Sequence, residues 1–237
     1  VALELMKIAT MNITTASIDA LFAITDRKRT ARELRRLADL VADELASKLG
    51  GQPAYVVGSG PDLDQFGARV ADKLGKQLLG AAAIWTHLLP HRVAGNIRNF
   101  CISQEIIEPL PPKSTVVLCQ SVIADEFEVQ TIISRLQMEQ RIDRLIICAA
   151  ALATELRARL TKYFRYDGLE VEFVAVLDFA TETELLRDHI YSVLDDRPMK
   201  IVPIMSRWMM ERTFGPKPSY DDKPRPKPRP RRPGPNG

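Results

Sequence analysis

The stretch VVLCQSVIADEFEVQTIISRLQMEQRIDRLIICAAALATELRARLTKYFRYDGLEVEFVAVL, residues 116–177, decides the fold. It opens on Val116-Val117-Leu118-Cys119, an apolar run too short for a helix and rich in β-branched residues, so it reads as a buried strand. A turn follows, and residues 129–140 carry helical spacing. Residues 145–149 are a second apolar strand, 154–164 a second helix and 171–177 a third strand. Strand–helix–strand–helix–strand is the rhythm of a parallel sheet covered on both faces. Such sheets bind ligands at the carboxyl ends of their strands, which places Gln120-Ser121, Ala150 and Asp178 at the candidate site.

Upstream of this unit, residues 16–49 read as one long helix. Leu34, Leu37, Val41, Leu45 and Leu49 recur every three or four residues, Ser17 or Thr25 offers a cap, and Gly50-Gly51 ends it. Residues 54–57 run as a strand into the turn Gly58-Ser59-Gly60-Pro61. Residues 63–74 form an amphipathic helix, and 78–85 a further strand. Residues 87–112 contain Pro90, Gly95, Pro109, Pro111 and Pro112, so loops or a short hairpin are expected there. No internal repeat is visible.

Charge divides the chain in two. Its net charge is +3, yet residues 216–237 hold seven basic and two acidic residues, a net +5, which leaves −2 for residues 1–215. Eight of the sixteen prolines alternate with Lys and Arg in that tail. Proline fixes φ and like charges repel, so the tail is expected to be extended and to lack a core. The expected division is an α/β domain at 1–215 and a basic, Pro-rich disordered tail at 216–237. Lys217, Lys223, Arg225, Lys227, Arg229, Arg231 and Arg232 are candidate contacts to an acidic protein surface. Nucleic acid is the competing partner, but no aromatic interleaves these cations after Tyr220.

The rest of the composition sets limits. No apolar run reaches the eighteen or so residues that span a bilayer, and the first fifteen residues lack a secretory signal pattern. Cys101, Cys119 and Cys148 form no CxxC pair, and an odd count without a framework fits a reducing, cytoplasmic compartment. Cys119 and Cys148 lie in apolar runs and read as small core residues.

In residue order the chain resembles the uracil phosphoribosyltransferase branch of the type I phosphoribosyltransferases. TDRKRTARELRRLADLVADELA from Thr25 looks like that family's N-terminal helix, with Thr30 and Arg35 matching and Leu34 where the family has Phe. VVLCQSVIADEFEVQTIISRL is similar in layout to its central strand, loop and helix, and EFVAVLDFATE to a later strand ending in Asp178. IVP from Ile201 and RTFG from Arg212 bracket the region of the uracil loop. The resemblance covers roughly residues 20–215 and implies the family's α/β fold, a mainly parallel sheet with helices on both faces. It also implies a homodimer.

The departures from the family matter more. The family places an acidic residue and then an Ala-Thr-Gly-Gly-Ser/Thr loop after the central strand, so that backbone amides at a helix N-terminus wrap the donor's 5′-phosphate. Aligned on Ala124, this chain has Gln120-Ser121 at the acidic position and Asp125-Glu126-Phe127-Glu128 at the cradle. Three carboxylates repel a phosphate dianion, and Phe127 and Glu128 fill space that glycine leaves open. The first-strand turn lacks the family's Arg near pyrophosphate and offers Asp62 and Asp64. The uracil loop is replaced by residues 204–210, with Arg207 and Trp208. Fold inheritance without activity is therefore the expectation: a catalytically degenerate module that binds partners, with no cofactor and no resident metal. The alternative is an active transferase acting on uracil or a related base with Mg²⁺. In that case Asp125 would face the ribose and Arg35 would contact phosphate.

The remaining motifs have plainer readings. Asp125–Glu128 suits a helix N-terminus for capping and dipole reasons alone. His87 and His91 have helical spacing but Pro90 lies between them, so they read as loop histidines and not zinc ligands. His189 reads as an isolated residue on a surface helix. Gly58-x-Gly60 lacks the third glycine of a dinucleotide loop, and Ser59 and Ser121 also keep a sugar-isomerase-like phosphate loop open. Met205–Met210 reads as core or an oligomer interface, with an apolar docking patch as the other reading.

Overall fold

A computed structural model of the chain describes residues 23–89, 99–179, 183–194 and 206–215. Its sheet has six strands: β1 (Ala54–Ser59), β2 (Leu78–Leu88), β3 (Phe100–Ile107), β4 (Thr115–Ile123), β5 (Arg144–Ala153) and β6 (Glu170–Phe179). They lie in the order β3-β2-β1-β4-β5-β6. β3 is antiparallel to β2, and every other pairing is parallel. All nine residues of β4 are buried, as a central strand covered on both faces requires. This is the expected α/β architecture.

The helices divide between the two faces. α1 (Arg27–Leu49), α2 (Ala68–Leu74) and α5 (Thr183–Leu194) bury Leu34, Leu37, Val41, Val70, Leu186 and Ile190 against one side of the sheet. α3 (Glu126–Gln137) and α4 (Thr154–Tyr166) bury Val129, Ile132, Ile133, Leu156 and Leu160 against the other. The last helix, α6 (Arg207–Phe214), seats Met209 on Ala81, Ala83 and Trp85 of β2.

Several expectations need correction. α1 starts at Arg27, capped by Asp26, whose Oδ1 accepts the Arg29 amide at 2.8 Å; neither Ser17, outside the described residues, nor Thr25 is the cap. The helix ends where expected, because Gly50 takes the left-handed φ of 55° that a Cβ would oppose. The prolines of residues 87–112 predict loops or a short hairpin; the hairpin is there, but it is long, since residues 100–107 form a full edge strand antiparallel to β2. β2 also runs on to Leu88, which places His87 in a strand; His91 lies outside the described residues. The prolines mislead because they flank β3 and do not interrupt it. The strand into Gly58 continues to Ser59, and residues 60–74 are one helical segment containing a π-helical turn at Leu63–Gly67. α3 begins at Glu126 and ends at Gln137, three residues ahead of the expected 129–140 at both ends, because Asp125 caps it.

Candidate functional site

Sheet order locates the site before any side chain does. From β1 the chain crosses to β2 on one side, and from β4 to β5 on the other, so the order reverses between β1 and β4. The crevice outside the carboxyl ends at such a reversal is where open α/β sheets hold ligands. Ser59, Asp62, Gln120 and Ser121 converge there, and all four are buried.

Polar groups of the chain itself engage one another at this crevice. Asp62 is fully buried, and its Oδ2 accepts the Ser121 amide at 2.6 Å and the Tyr191 hydroxyl at 2.9 Å. Burial pushes the Asp62 carboxyl up to about 6, with the Ser121 and Tyr191 hydrogen bonds acting in the opposite direction and the Glu128 charge adding to the rise. Burial also pushes the Tyr191 phenol well up, and the neighbouring Asp62 charge adds to it. The Ser59 and Tyr191 hydroxyls lie 3.5 Å apart. Tyr191 projects from α5, so that helix closes the crevice on the α1 face.

The carboxylates at the start of α3 are engaged as well. Asp125 Oδ1 accepts the Phe127 amide at 2.8 Å and caps α3. Glu128 is buried; it accepts from Thr86 Oγ1 at 2.5 Å and from Arg187 Nη1 at 3.3 Å. Glu126 pairs with Arg159 at 3.0 Å. The carboxylates at this helix N-terminus are thus matched to cap, hydroxyl and guanidinium partners within the chain, as the capping reading expects.

The remaining candidate residues scatter. Ala124 is buried behind the cap, while Asp178, at the end of β6, is exposed and pairs with Arg157 at 2.7 Å. β6 is two strands from β4, so Asp178 does not join the site. Arg35 is exposed on α1, donates to Gln65 Oε1 at 3.2 Å, and lines a cleft of about 550 Å³ with Asp72, Trp208 and Glu211. Gln120 and Ser121, expected in the turn after β4, lie inside a strand that runs to Ile123. His189 is not isolated, since its Nε2 sits 2.9 Å from the Ile24 carbonyl. Met209 is core and Trp208 is half-buried beside α2; Met205 and the basic tail lie outside the described residues. Cys119 and Cys148 are buried register partners, and burial pushes the Cys148 thiol up and away from reactivity. Among the described residues no group of three or more His, Cys, Asp or Glu has a metal-binding arrangement, and no helix is long and apolar enough to cross a membrane.

Sequence reasoning misses Tyr191 and Arg187 as partners of the site, and marks Asp62 only as a departure from the family. Nothing in local pattern links α5 to residues 62 and 128, because those contacts span 129 and 59 positions.

No protein-family model and no curated protein matches the chain. Solved structures do. The AQ2163 protein of Aquifex aeolicus is 12% identical with a TM-score of 0.53, over 74% of this chain and 92% of that one. A purine phosphoribosyltransferase of Pyrococcus horikoshii is 12% identical with a TM-score of 0.45, over 63% and 85%. An adenine phosphoribosyltransferase of Thermoanaerobacter pseudethanolicus is 16% identical with a TM-score of 0.40, over 60% and 80%. The first is a likeness of fold alone, and the other two are too loose to carry weight for an activity. In fold, then, the chain is similar to the Aquifex protein.

Proposed function

We propose that the chain is a phosphoribosyltransferase-like module of the uracil branch that has lost phosphoryl binding and works by holding partners. One observation carries the reading: the N-terminus of α3, where backbone amides would cradle a phosphate, is capped by Asp125 and flanked by the paired carboxylates Glu126 and Glu128. A phosphate dianion would have to displace Asp125 from the Phe127 amide and compete with Glu126 and Glu128 for the guanidinium partners they already hold. The basic tail at 216–237 is the proposed tether to an acidic protein surface, with the body as a cytoplasmic, homodimeric scaffold. Calorimetric titration with phosphoribosyl pyrophosphate and Mg²⁺, then uracil, is expected to give no heat of binding from folded protein. Micromolar binding of the donor would sink the reading. Removing residues 216–237 is expected to abolish partner capture.

A second reading has one observation in its favour, the burial of Gln120 and Ser121 at the point where strand order reverses. In it the chain is an active transferase that uses Mg²⁺ and a base such as uracil, with Asp125 toward the ribose and Arg35 toward phosphate. Donor binding that is lost on altering Asp125 would favour it.

A further inference from the structure

Among the described residues, four buried side-chain atoms have no hydrogen-bond partner from the protein: Asp62 Oδ1, Ser121 Oγ, Gln120 Oε1 and Gln120 Nε2. All four lie at the ends of β1 and β4 that flank the reversal of strand order. Ser121 and Asp62 are already joined through the Ser121 amide and Asp62 Oδ2 at 2.6 Å, so their two bare oxygens belong to neighbouring groups that can serve each other. Gln120 differs, because the donor and the acceptor of one carboxamide are both bare in a residue only 1% exposed. Native interiors rarely leave a whole amide unmatched, and the exceptions call for a cause.

We propose that the Gln120 carboxamide anchors a binding site for a small uncharged ligand presenting a donor and an acceptor side by side, as a carboxamide or lactam edge does. The proposal rests on the reading that the crevice no longer takes a phosphoribosyl donor, and names what it takes instead. A two-sided edge satisfies both atoms with one molecule, whereas an anion would serve Nε2 and leave Oε1 bare, and a cation would do the reverse. Charge points the same way. Glu128, buried in the first turn of α3, already engages the Arg187 guanidinium, and Glu126 engages Arg159, so these cations are committed and an anion gains little from them. By strand alternation Gln120 follows Val116 and Leu118 onto the α3 side, away from the Asp62–Tyr191 pair on the α5 side. The ligand therefore enters by local opening on the α3 side, since Gln120 is sealed in the closed state.

The test uses the full chain and the isosteric probes acetamide and acetate, with 2-pyridone as a lactam. Nitrogen-15 NMR follows the Gln120 side-chain NH₂ signals, identified by their loss in Gln120→Met. Acetamide and 2-pyridone are expected to shift them saturably and to compete with each other, while acetate leaves them unmoved. Gln120→Met removes the unmatched amide at nearly constant shape, so it is expected to raise Tm by about 2–4 °C and to erase both neutral responses. Equal responses to acetamide and acetate, or none to either neutral probe, overturn the proposal, as does an unchanged acetamide response in Gln120→Met at neighbouring backbone amides. Water alone at Gln120, seen as water cross-peaks that the probes do not displace, overturns it too. Silence from acetamide together with silence from phosphoribosyl pyrophosphate refutes this site and leaves the module reading intact. Binding of the pyrophosphate refutes the reading beneath it.

Discussion

Replacing Asp62 by asparagine tests the electrostatics of the crevice directly. Burial raises this carboxyl from 3.8 to about 6. Below about pH 3 the folded and unfolded chains are both protonated at this position, and it costs no stability. Between pH 4 and 6 the unfolded chain releases its proton first while the native protein keeps it. The native state then binds more protons, and the free energy of unfolding falls as pH rises through the folded pKa. A shift of about two units corresponds to about 3 kcal/mol in all, of which about 2 kcal/mol is lost between pH 4 and 7. The Asp62→Asn side chain would not titrate. Its Oδ1 would keep accepting from Ser121 and Tyr191, and its amide would face the place of the unmatched oxygen at a cost that does not vary with pH. Urea unfolding of both proteins, followed by circular dichroism at pH 4, 5, 6 and 7, should show the variant gaining about 2 kcal/mol on wild type across that range. Other carboxylates titrate in both proteins and cancel in the difference. A difference that stays flat within about 1 kcal/mol would refute a buried, ionised Asp62 and the charge argument built on it.

Two further predictions concern packing around the same crevice. Arg187→Ala strips the buried Glu128 of its guanidinium and leaves it the Thr86 hydroxyl, so it should cost about 3–4 kcal/mol in urea unfolding, while Arg187→Met with Glu128→Gln should cost much less. Gly60→Ala puts a Cβ 1.9–2.3 Å from the Trp85 indole, so it should cost about 1–3 kcal/mol and move the Trp85 emission to the red; an unchanged spectrum would show the contact to be slack.

The sheet is legible in the sequence because β4, β5 and β6 are buried apolar runs separated by amphipathic helices, a pattern that local periodicity encodes. Leu34, Leu37, Val41, Leu45 and Leu49 announce α1 in the same way, and all five are buried. β3 is less legible. Its residues are only partly buried at the sheet edge, so Phe100, Cys101, Ile102 and Ser103 show no clean alternation, and prolines flank it. The site is legible at residue level only in part. Gln120, Ser121 and Asp125–Glu128 stand out by their departure from a phosphate-cradling loop, and the structure puts them near the reversal of strand order. What they touch is not legible, because Tyr191 and Arg187 arrive from a helix whose own pattern speaks only of the core. The cap at Asp125 is within reach of sequence, since an Asp before an amphipathic run is a helix start signal.

The seating of α6 governs what the tail can do. Asp64 accepts from both the Ser206 hydroxyl and the Trp208 amide, Met209 sits in the core, and Arg212 holds Glu108 at 2.7 Å beyond the end of β3. Gly215, where the described chain stops, is thus rooted on the β2–β3 side of the sheet, the side away from β6. If the tail holds a partner as proposed, the covalent link to the body starts at Gly215, so a second contact between body and partner is expected first on the β3 side.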